Sequence, residues 1–309
     1  MPPLPAMQGT LFKYGPGAAH VAFKSQPPAH GVAPAPARAV VLLGGLTDGL
    51  LFAPYAPHLE RAAARLGWTL VQAQLSSSCA GWGLASLDAD ADELRLLSDC
   101  LRTRHGVAAW VLVGHSTGCQ DAVRYVQRHR AHDDALAGVV LQAPVSDREY
   151  LGMTPGWAEL EAPARAMVAA GRGDEVLCRA RDWDGAAVSA ARFLSLWARG
   201  GDDDCFSTDL TLEELRRILG PLRGLPCAII QSGEDETVPP ALRESGAAAA
   251  LGRRMAEAIA LGPPGAGPAE PGMPAARLFV VEGAGHACAG HEADVVAHIS
   301  DFLEAIAPP

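Results

Sequence analysis

The chain contains six short runs of apolar residues that are separated by segments of mixed polarity. The runs lie at 38–46, 68–75, 108–114, 136–144, 226–233 and 276–283. Continuous apolar runs of this length are typical of strands that are buried on both faces of a parallel sheet. Ahead of them, residues 10–25 predict two shorter strands joined by a Pro-Gly turn.

Between the runs, apolar residues recur every three or four positions, which is the spacing of one helix face. One such face is formed by Leu87, Ala91, Leu94, Leu97 and Leu101, and another by Val295, Ile299, Phe302 and Ile306. Ser86 is the predicted N-cap of the first of these helices. Strands that alternate with helices predict an α/β fold, with a mostly parallel central sheet and helices on both faces.

The alternation is interrupted from about residue 146 to 222, where no clear strand is predicted. We interpret this segment as a helical cap insertion carried on the sheet. Within it, 186–200 has a helical pattern, and Thr211 with Glu214 has capping-box spacing. Residues 262–274 are rich in Gly and Pro and predict a flexible loop. With these two features, residues 1–309 are predicted to form a single domain.

The third apolar run leads into Gly114-His115-Ser116-Thr117-Gly118 and then into a predicted helix. This is the G-x-S-x-G pattern in the strand–turn–helix context that a nucleophilic serine requires. Side chains at the two glycine positions would collide with neighbouring backbone in so sharp a turn. We therefore expect Ser116 to be a nucleophile held in a strained conformation above the sheet edge.

A serine hydroxyl needs a base to become a nucleophile. His286 follows the sixth run in a Gly-rich loop and is the candidate base, whereas His115 is expected to pack beside the serine. Asp235 follows the fifth run and is the candidate orienting acid, with its acidic neighbours interpreted as solvated. The chain order Ser116, Asp235, His286 is that of the α/β-hydrolase triad.

Two backbone N–H groups are candidates for an oxyanion hole. One belongs to Thr117, directly after the serine. The other belongs to Leu46, in the loop after the first apolar run, where two glycines allow a close approach of the backbone. Thr47 and Asp48 in the same loop are candidate substrate contacts, with surface turn residues as the equal alternative.

Trp157, Trp183 and Trp197 lie in the predicted cap and are candidates for lining the substrate pocket. Packing in the core of a small cap is the more common role for such residues, so both interpretations remain open. The sequence GDDDC at 201–205 is interpreted as a solvated loop and not as a metal site.

Composition excludes several classes of partner. The formal net charge of −10 argues against nucleic acid and anionic membranes, which bind basic surfaces. No apolar run is long enough to span a bilayer, and no signal peptide is recognised, so a cytoplasmic protein is expected. The seven cysteines form no CxxC pair, which indicates neither a disulfide framework nor a zinc site. No metal or organic cofactor is expected.

Four segments together resemble one group within the α/β-hydrolase superfamily. They are VGHSTGCQD, LLGGLTDGL, QAPVSDREY and GEDETVP. The group is a largely uncharacterised family of fungal and plant proteins that includes the ester hydrolase acting on the siderophore fusarinine C. The resemblance implies the α/β-hydrolase fold and a Ser-His-Asp triad on Ser116, His286 and Asp235.

These observations predict a serine hydrolase that cleaves a carboxylic ester of a small molecule through an acyl-enzyme intermediate. Two other functions keep the same residues. The triad could transfer the acyl group to an alcohol or amine, or the fold could serve as a small-molecule receptor with little turnover. A scaffold without activity is the weaker alternative, and the sequence makes no prediction of oligomeric state.

Overall fold

The computed structural model describes residues 6–26, 38–181, 183 and 185–306. Within them lies a sheet of eight strands: β1 (Gly9–Lys13), β2 (Val21–Ser25), β3 (Arg38–Leu43), β4 (Thr69–Gln74), β5 (Ala109–His115), β6 (Leu136–Gln142), β9 (Cys227–Ser232) and β10 (Arg277–Val281). Their order across the sheet is β1-β2-β4-β3-β5-β6-β9-β10. Every apolar run forms one of them, and the two predicted N-terminal strands are present.

The six strands from the apolar runs are mutually parallel, whereas β1 and β2 add an antiparallel edge. The helices are α1 (Ala56–Arg65), α2 (Leu87–His105), α3 (Gly118–His129), α4 (Asp147–Leu151), α5 (Glu161–Ala169), α6 (Ala190–Trp197), α7 (Leu212–Leu219), α8 (Pro240–Glu244), α9 (Ala247–Leu261) and α10 (Glu292–Ile306). Ser86 accepts a hydrogen bond from Ala89 N–H and thus caps α2, as predicted.

Each face of the sheet has its own apolar core. Side chains of β5 alternate between the two: Val111 and Val113 pack with α1 and α10, and Trp110 and Leu112 pack with α2, α3 and α9. Burial on both sides explains why the strand residues read as continuous apolar runs. The predicted fold class is confirmed.

The segment 146–222, which we call the cap segment, differs from the helical prediction. It contains α4 to α7 and also an antiparallel hairpin of β7 (Val176–Ala180) and β8 (Ala186–Ser189). The helix expected over 186–200 therefore begins only at Ala190, because residues 186–189 pair with β7. Ser189 then accepts a hydrogen bond from Arg192 N–H and caps α6.

The end of the cap segment joins the body of the molecule. The capping box of Thr211 and Glu214 is formed, and Leu215 and Leu219 of α7 are buried in the core beneath the sheet. The Gly/Pro-rich residues that follow α9 form no helix or strand up to Arg277. None of the described helices is long and apolar enough to cross a membrane.

Candidate active site

Three loops bring the candidate triad to the carboxyl edge of the sheet. Ser116 follows β5, Asp235 follows β9 and His286 follows β10. Ligand sites of open α/β sheets form outside this edge. Ser116 and His286 border one cavity of about 250 Å³, lined by Leu46, Thr47, Asp48, Phe52, His115, Ser116, Thr117, Val145, Asp147, Tyr150, Trp183, Thr237, His286 and Ala287.

The backbone at Ser116 is strained, with φ at 54°, a region that residues other than glycine rarely adopt. Its N–H donates to the carbonyl of Gln142 on the neighbouring strand at 3.1 Å. A Cβ at Gly114 would lie 2.2 Å from the carbonyl oxygen of Gly118, and one at Gly118 would lie 2.6 Å from that of Gly44. The turn therefore requires glycine at both positions, as the sequence predicts.

His286 and Asp235 form a close pair. Asp235 is buried, and its Oδ2 lies 2.8 Å from Nδ1 of His286. The hydroxyl and backbone N–H of Thr237 donate to the other oxygen, Oδ1, at 2.6 and 3.0 Å. Burial opposes ionisation of Asp235, but these hydrogen bonds and the His286 charge outweigh it and hold its pKa below the ordinary value. Sequence analysis did not identify Thr237.

The basicity of His286 is raised by the carboxylates around it. Burial alone would lower its pKa, but the hydrogen bond and charge of Asp235, followed by the charges of Glu236 and Asp48, raise the pKa above the ordinary value. The backbone N–H of His286 also donates to Glu236 Oε2 at 2.8 Å. Among the described residues, no hydrogen bond yet joins Ser116 Oγ to the imidazole, although both groups border the cavity.

His115 lies against His286, with ring centroids 4.7 Å apart. Its Nδ1 is 2.6 Å from Gln142 Oε1, which also accepts from the hydroxyl of Tyr55. Burial and the nearby charge of His286 lower the pKa of His115 to about 3, so this ring stays neutral. It packs beneath His286, in agreement with the sequence expectation.

The two residues that carry the predicted oxyanion donors line the same cavity. Within the described part of the chain, the N–H groups of Leu46 and Thr117 have no hydrogen-bond acceptor. The neighbouring N–H of Gly45 already donates to Asp48 Oδ2 at 2.8 Å and is therefore not a candidate oxyanion donor. A Cβ at Gly45 would lie 2.6 Å from Ser116 Cβ and 3.1 Å from Thr117 N. The loop therefore passes directly over the serine.

Thr47 and Asp48 complete this loop and both line the cavity. Thr47 is exposed with φ at 68°, and Asp48 is half-buried. Burial raises the pKa of Asp48, and the hydrogen bond from Gly45 and the charge of His286 offset part of that effect. Both residues thus lie where a substrate could touch them.

The three tryptophans separate into two groups. Trp183 lines the cavity, where it stacks with Tyr150 at a centroid distance of 6.1 Å. Trp157 and Trp197 pack instead with Phe193 in the core of the cap segment. Of the two interpretations left open for them, both rings therefore fit packing in the cap core, and neither is among the residues that line the cavity.

Sequence analysis missed a buried cluster of charged groups behind the oxyanion loop. Arg192 of α6 pairs with Asp203 at 2.6 Å, and both side chains are buried. Asp90, Asp121 and Asp147 lie close enough to interact with Arg192, and burial raises the pKa of each of them. Asp147 also accepts a hydrogen bond from the hydroxyl of Thr117 at 3.3 Å.

The same cluster corrects the interpretation of residues 201–205 as a solvated loop. Asp203 and Asp204 are buried, and Asp204 pairs with Arg148 at 3.2 Å. Asp203 and Asp204 are thus held in ion pairs with Arg192 and Arg148 and not in a solvated loop. Among the residues that the structure describes, no group of His, Cys, Asp or Glu side chains is arranged to hold a metal ion.

Comparison with known sequences confirms the resemblance. The DUF1749 family, described as proteins of unknown function, matches residues 3–273. A UPF0613 protein of Schizosaccharomyces pombe is 32% identical over 224 residues, which cover 65% of this chain and 69% of that protein. The fusarinine C esterase of Aspergillus fumigatus is 31% identical over 252 residues, which cover 65% and 71%.

Comparison with solved structures supports the same assignment of fold. The siderophore hydrolase EstB from Aspergillus fumigatus has a TM-score of 0.73 at 24% identity, over 98% of this chain and 99% of that one. An α/β-hydrolase fold protein of unknown function has a TM-score of 0.62 at 21% identity, over 98% and 97%. The chain therefore belongs to the DUF1749 family and has the α/β-hydrolase fold.

Proposed function

We propose that this protein is a serine hydrolase that cleaves a carboxylic ester of a small molecule through an acyl-enzyme intermediate. One observation carries the proposal. His286 is hydrogen-bonded to buried Asp235 at 2.8 Å, and its ring borders the same cavity as the strained Ser116. A serine, a base and a group that orients the base form the minimum set for nucleophilic acyl transfer.

In the first half of the reaction, Ser116 Oγ attacks the carbonyl carbon of the ester. Nε2 of His286 takes the hydroxyl proton and then passes it to the oxygen of the leaving alcohol. Asp235 keeps the other ring proton on Nδ1 and stabilises the imidazolium that forms. Thr237 holds Asp235 through two hydrogen bonds, so the carboxylate stays ionised and fixed in orientation.

The N–H groups of Leu46 and Thr117 bind the negative charge that develops on the carbonyl oxygen. Loss of one such donor typically costs about 2.7–4 kcal/mol of transition-state stabilisation. Water then attacks the acyl-enzyme, with His286 as base, and releases the acid and the free serine. Ser116, His286, Leu46 and Thr117 all border the cavity, and Asp235 lies behind His286.

The relatives favour an ester over other acyl compounds. Two of the similar fungal proteins are named a fusarinine C esterase and an esterase, the second from Emericella nidulans at 27% identity. The cavity of about 250 Å³ is close to the lower end of the size range of small-molecule pockets. Together these points support a small-molecule ester as the substrate.

The test is a panel of p-nitrophenyl esters with short to long acyl groups, given to the wild type and to Ser116→Ala. We expect steady release of nitrophenol by the wild type and a loss of at least about 10³-fold in kcat for the variant. Ser76→Ala, at an exposed serine in a loop outside this cavity, is the matched control and should retain activity. A folded wild-type protein that turns over none of the esters would contradict the proposal and favour a receptor.

The same assay separates hydrolysis from acyl transfer. With an added alcohol or amine, a hydrolase yields mainly the free acid, whereas an acyltransferase yields mainly the new ester or amide. Mass spectrometry of the products gives this ratio directly. A predominance of transfer products at modest acceptor concentration would replace the hydrolase assignment by the transferase one.

A further inference from the structure

The ionisable groups that line the cavity include more carboxyl groups than groups expected to carry positive charge. Its lining includes the carboxyl groups of Asp48 and Asp147 but no lysine or arginine, and His286 is the one lining group expected to gain positive charge. Just outside, Asp235 and Glu236 flank His286, and Arg243 donates to the backbone carbonyl of Asp235 at 2.9 Å, so carboxylates still outnumber cations. An anionic group on a substrate would therefore be repelled, and a cationic one attracted.

Asp48 is the carboxylate that a substrate can reach. Its Oδ2 accepts from Gly45 N–H, whereas Oδ1 has no hydrogen-bond donor among the described residues. The side chain is half-buried at the cavity wall, so one oxygen is held in place while the other remains accessible. Asp147 differs, because Thr117 and Gln120 donate to its two oxygens and the side chain is buried.

Aromatic rings line the same cavity. Tyr150 and Trp183 stack at 6.1 Å with an angle of 19° between their planes, and Phe52 lines the cavity near His115. The faces of aromatic rings attract ammonium groups, and the attraction is stronger where water is excluded. A carboxylate together with aromatic faces is a common arrangement for recognising an organic cation.

The net charge of the whole chain also favours cationic over anionic substrates. A net charge of −10 concentrates cations near the protein and repels anions. The long-range field and the groups at the cavity wall therefore favour substrates of the same sign.

We propose that the natural ester carries a positively charged group, such as a primary or quaternary ammonium, which binds Asp48 and the aromatic rings that line the cavity. This inference rests on the proposed esterase activity. Asp48 would then have two roles: Oδ2 fixes the oxyanion loop, and Oδ1 pairs with the cation. A purely structural role for Asp48 would leave no preference for charge.

The test compares esters that differ only in charge. One pair is the p-nitrophenyl ester of γ-trimethylammoniobutyrate and its uncharged isostere, in which a tert-butyl group replaces the trimethylammonium group. The second pair is choline butyrate and its tert-butyl isostere, which places the cation on the alcohol. All rates are divided by the rate of spontaneous alkaline hydrolysis of the same ester. At low salt and about pH 8, well above the ordinary pKa of aspartate, we expect kcat/KM to favour the cationic ester about tenfold in at least one pair.

Two variants show whether the preference comes from Asp48. Asp48→Asn keeps an oxygen acceptor for Gly45 N–H but removes the charge, so the preference should fall to near unity. Glu236→Gln removes a charge beside His286 that lies outside the cavity lining, so the preference should persist even if the absolute rates change.

The outcomes separate the inference from the proposed function. Hydrolysis of the neutral esters with no preference in either pair would overturn the inference and leave the esterase activity intact. An equal preference in the wild type and Asp48→Asn would also overturn it, because another group would then carry the recognition. No hydrolysis of any ester by folded protein would overturn both.

Discussion

Ser116 occupies a backbone conformation that its own side chain disfavours, and its neighbours hold it there. The N–H bond to Gln142 fixes one side, and Gly45 lies over the other side so closely that a methyl group would collide with the serine. Strain of this kind persists only where the surroundings determine the backbone. At the scale of single residues, the proposed reaction at Ser116 therefore depends on glycine at position 45, because any larger side chain would collide with the serine.

Replacing Gly45 with alanine should abolish most of the activity. The new Cβ would lie 2.6 Å from Ser116 Cβ and 3.0 Å from its Oγ, so the oxyanion loop would have to move. We expect kcat to fall by about 10²-fold or more, comparable to the loss of an oxyanion donor. Gly49→Ala is the matched control in the same loop, since its Cβ would meet only Cys79 Sγ at 3.1 Å. Similar kinetics for both variants would contradict the close contact between Gly45 and Ser116.

The pH dependence of kcat/KM should report the ionisation of His286. The base must be neutral to take the proton, so kcat/KM should rise with pH to a plateau, with a midpoint above the ordinary histidine pKa because its pKa is raised. Glu236→Gln removes one of the charges that raise this pKa, so the midpoint should move to lower pH. A midpoint that stays fixed or moves upward in the variant would show that another group controls the profile.

At the scale of secondary-structure elements, buried charged side chains connect the cap segment to the helices that cover the sheet. Arg192 belongs to α6, whereas Asp90 lies in α2, Asp121 in α3 and Asp147 at the start of α4. The sequence could not predict this cluster, because its members lie in separate segments that only tertiary packing brings together. The hairpin of β7 and β8 was missed for the same reason: short strands of mixed composition become recognisable only once they pair.

Arg192→Met should destabilise the protein strongly. It leaves buried carboxyl groups without their cation, and loss of one partner of a buried ion pair costs about 3–5 kcal/mol. Without Arg192 the pKa values of these carboxyl groups rise further, so the folded state binds protons more tightly than the unfolded state. The loss of unfolding free energy should therefore grow as the pH rises above the ordinary range of aspartate.

Denaturant unfolding at several pH values measures this effect. Arg217→Met is the control, because Arg217 pairs with Glu213 in an exposed i,i+4 contact and should change the stability by no more than about 0.5 kcal/mol. Equal, pH-independent losses in both variants would show that the buried cluster does not stabilise the junction of cap and body.

At the scale of the whole molecule, the strands of the sheet could be predicted from sequence, whereas the side-chain contacts around the candidate site could not. Parallel strands that are buried on both faces consist of continuous apolar residues, so all six could be located from sequence. The candidate triad followed from one motif and the chain order of three residues. Thr237 and the separate roles of the tryptophans depend on side-chain directions, which no periodicity encodes.

The central claim is that Ser116 is a nucleophile activated by His286 and Asp235. Its most direct test is labelling with a fluorophosphonate, followed by intact mass and peptide mapping, for the wild type, Ser116→Ala and His286→Ala. The account predicts one adduct per wild-type chain, located on Ser116, with no adduct on the serine variant and labelling slowed by orders of magnitude in the histidine variant. A folded wild-type protein that stays unlabelled, or that is labelled at another residue, would contradict it.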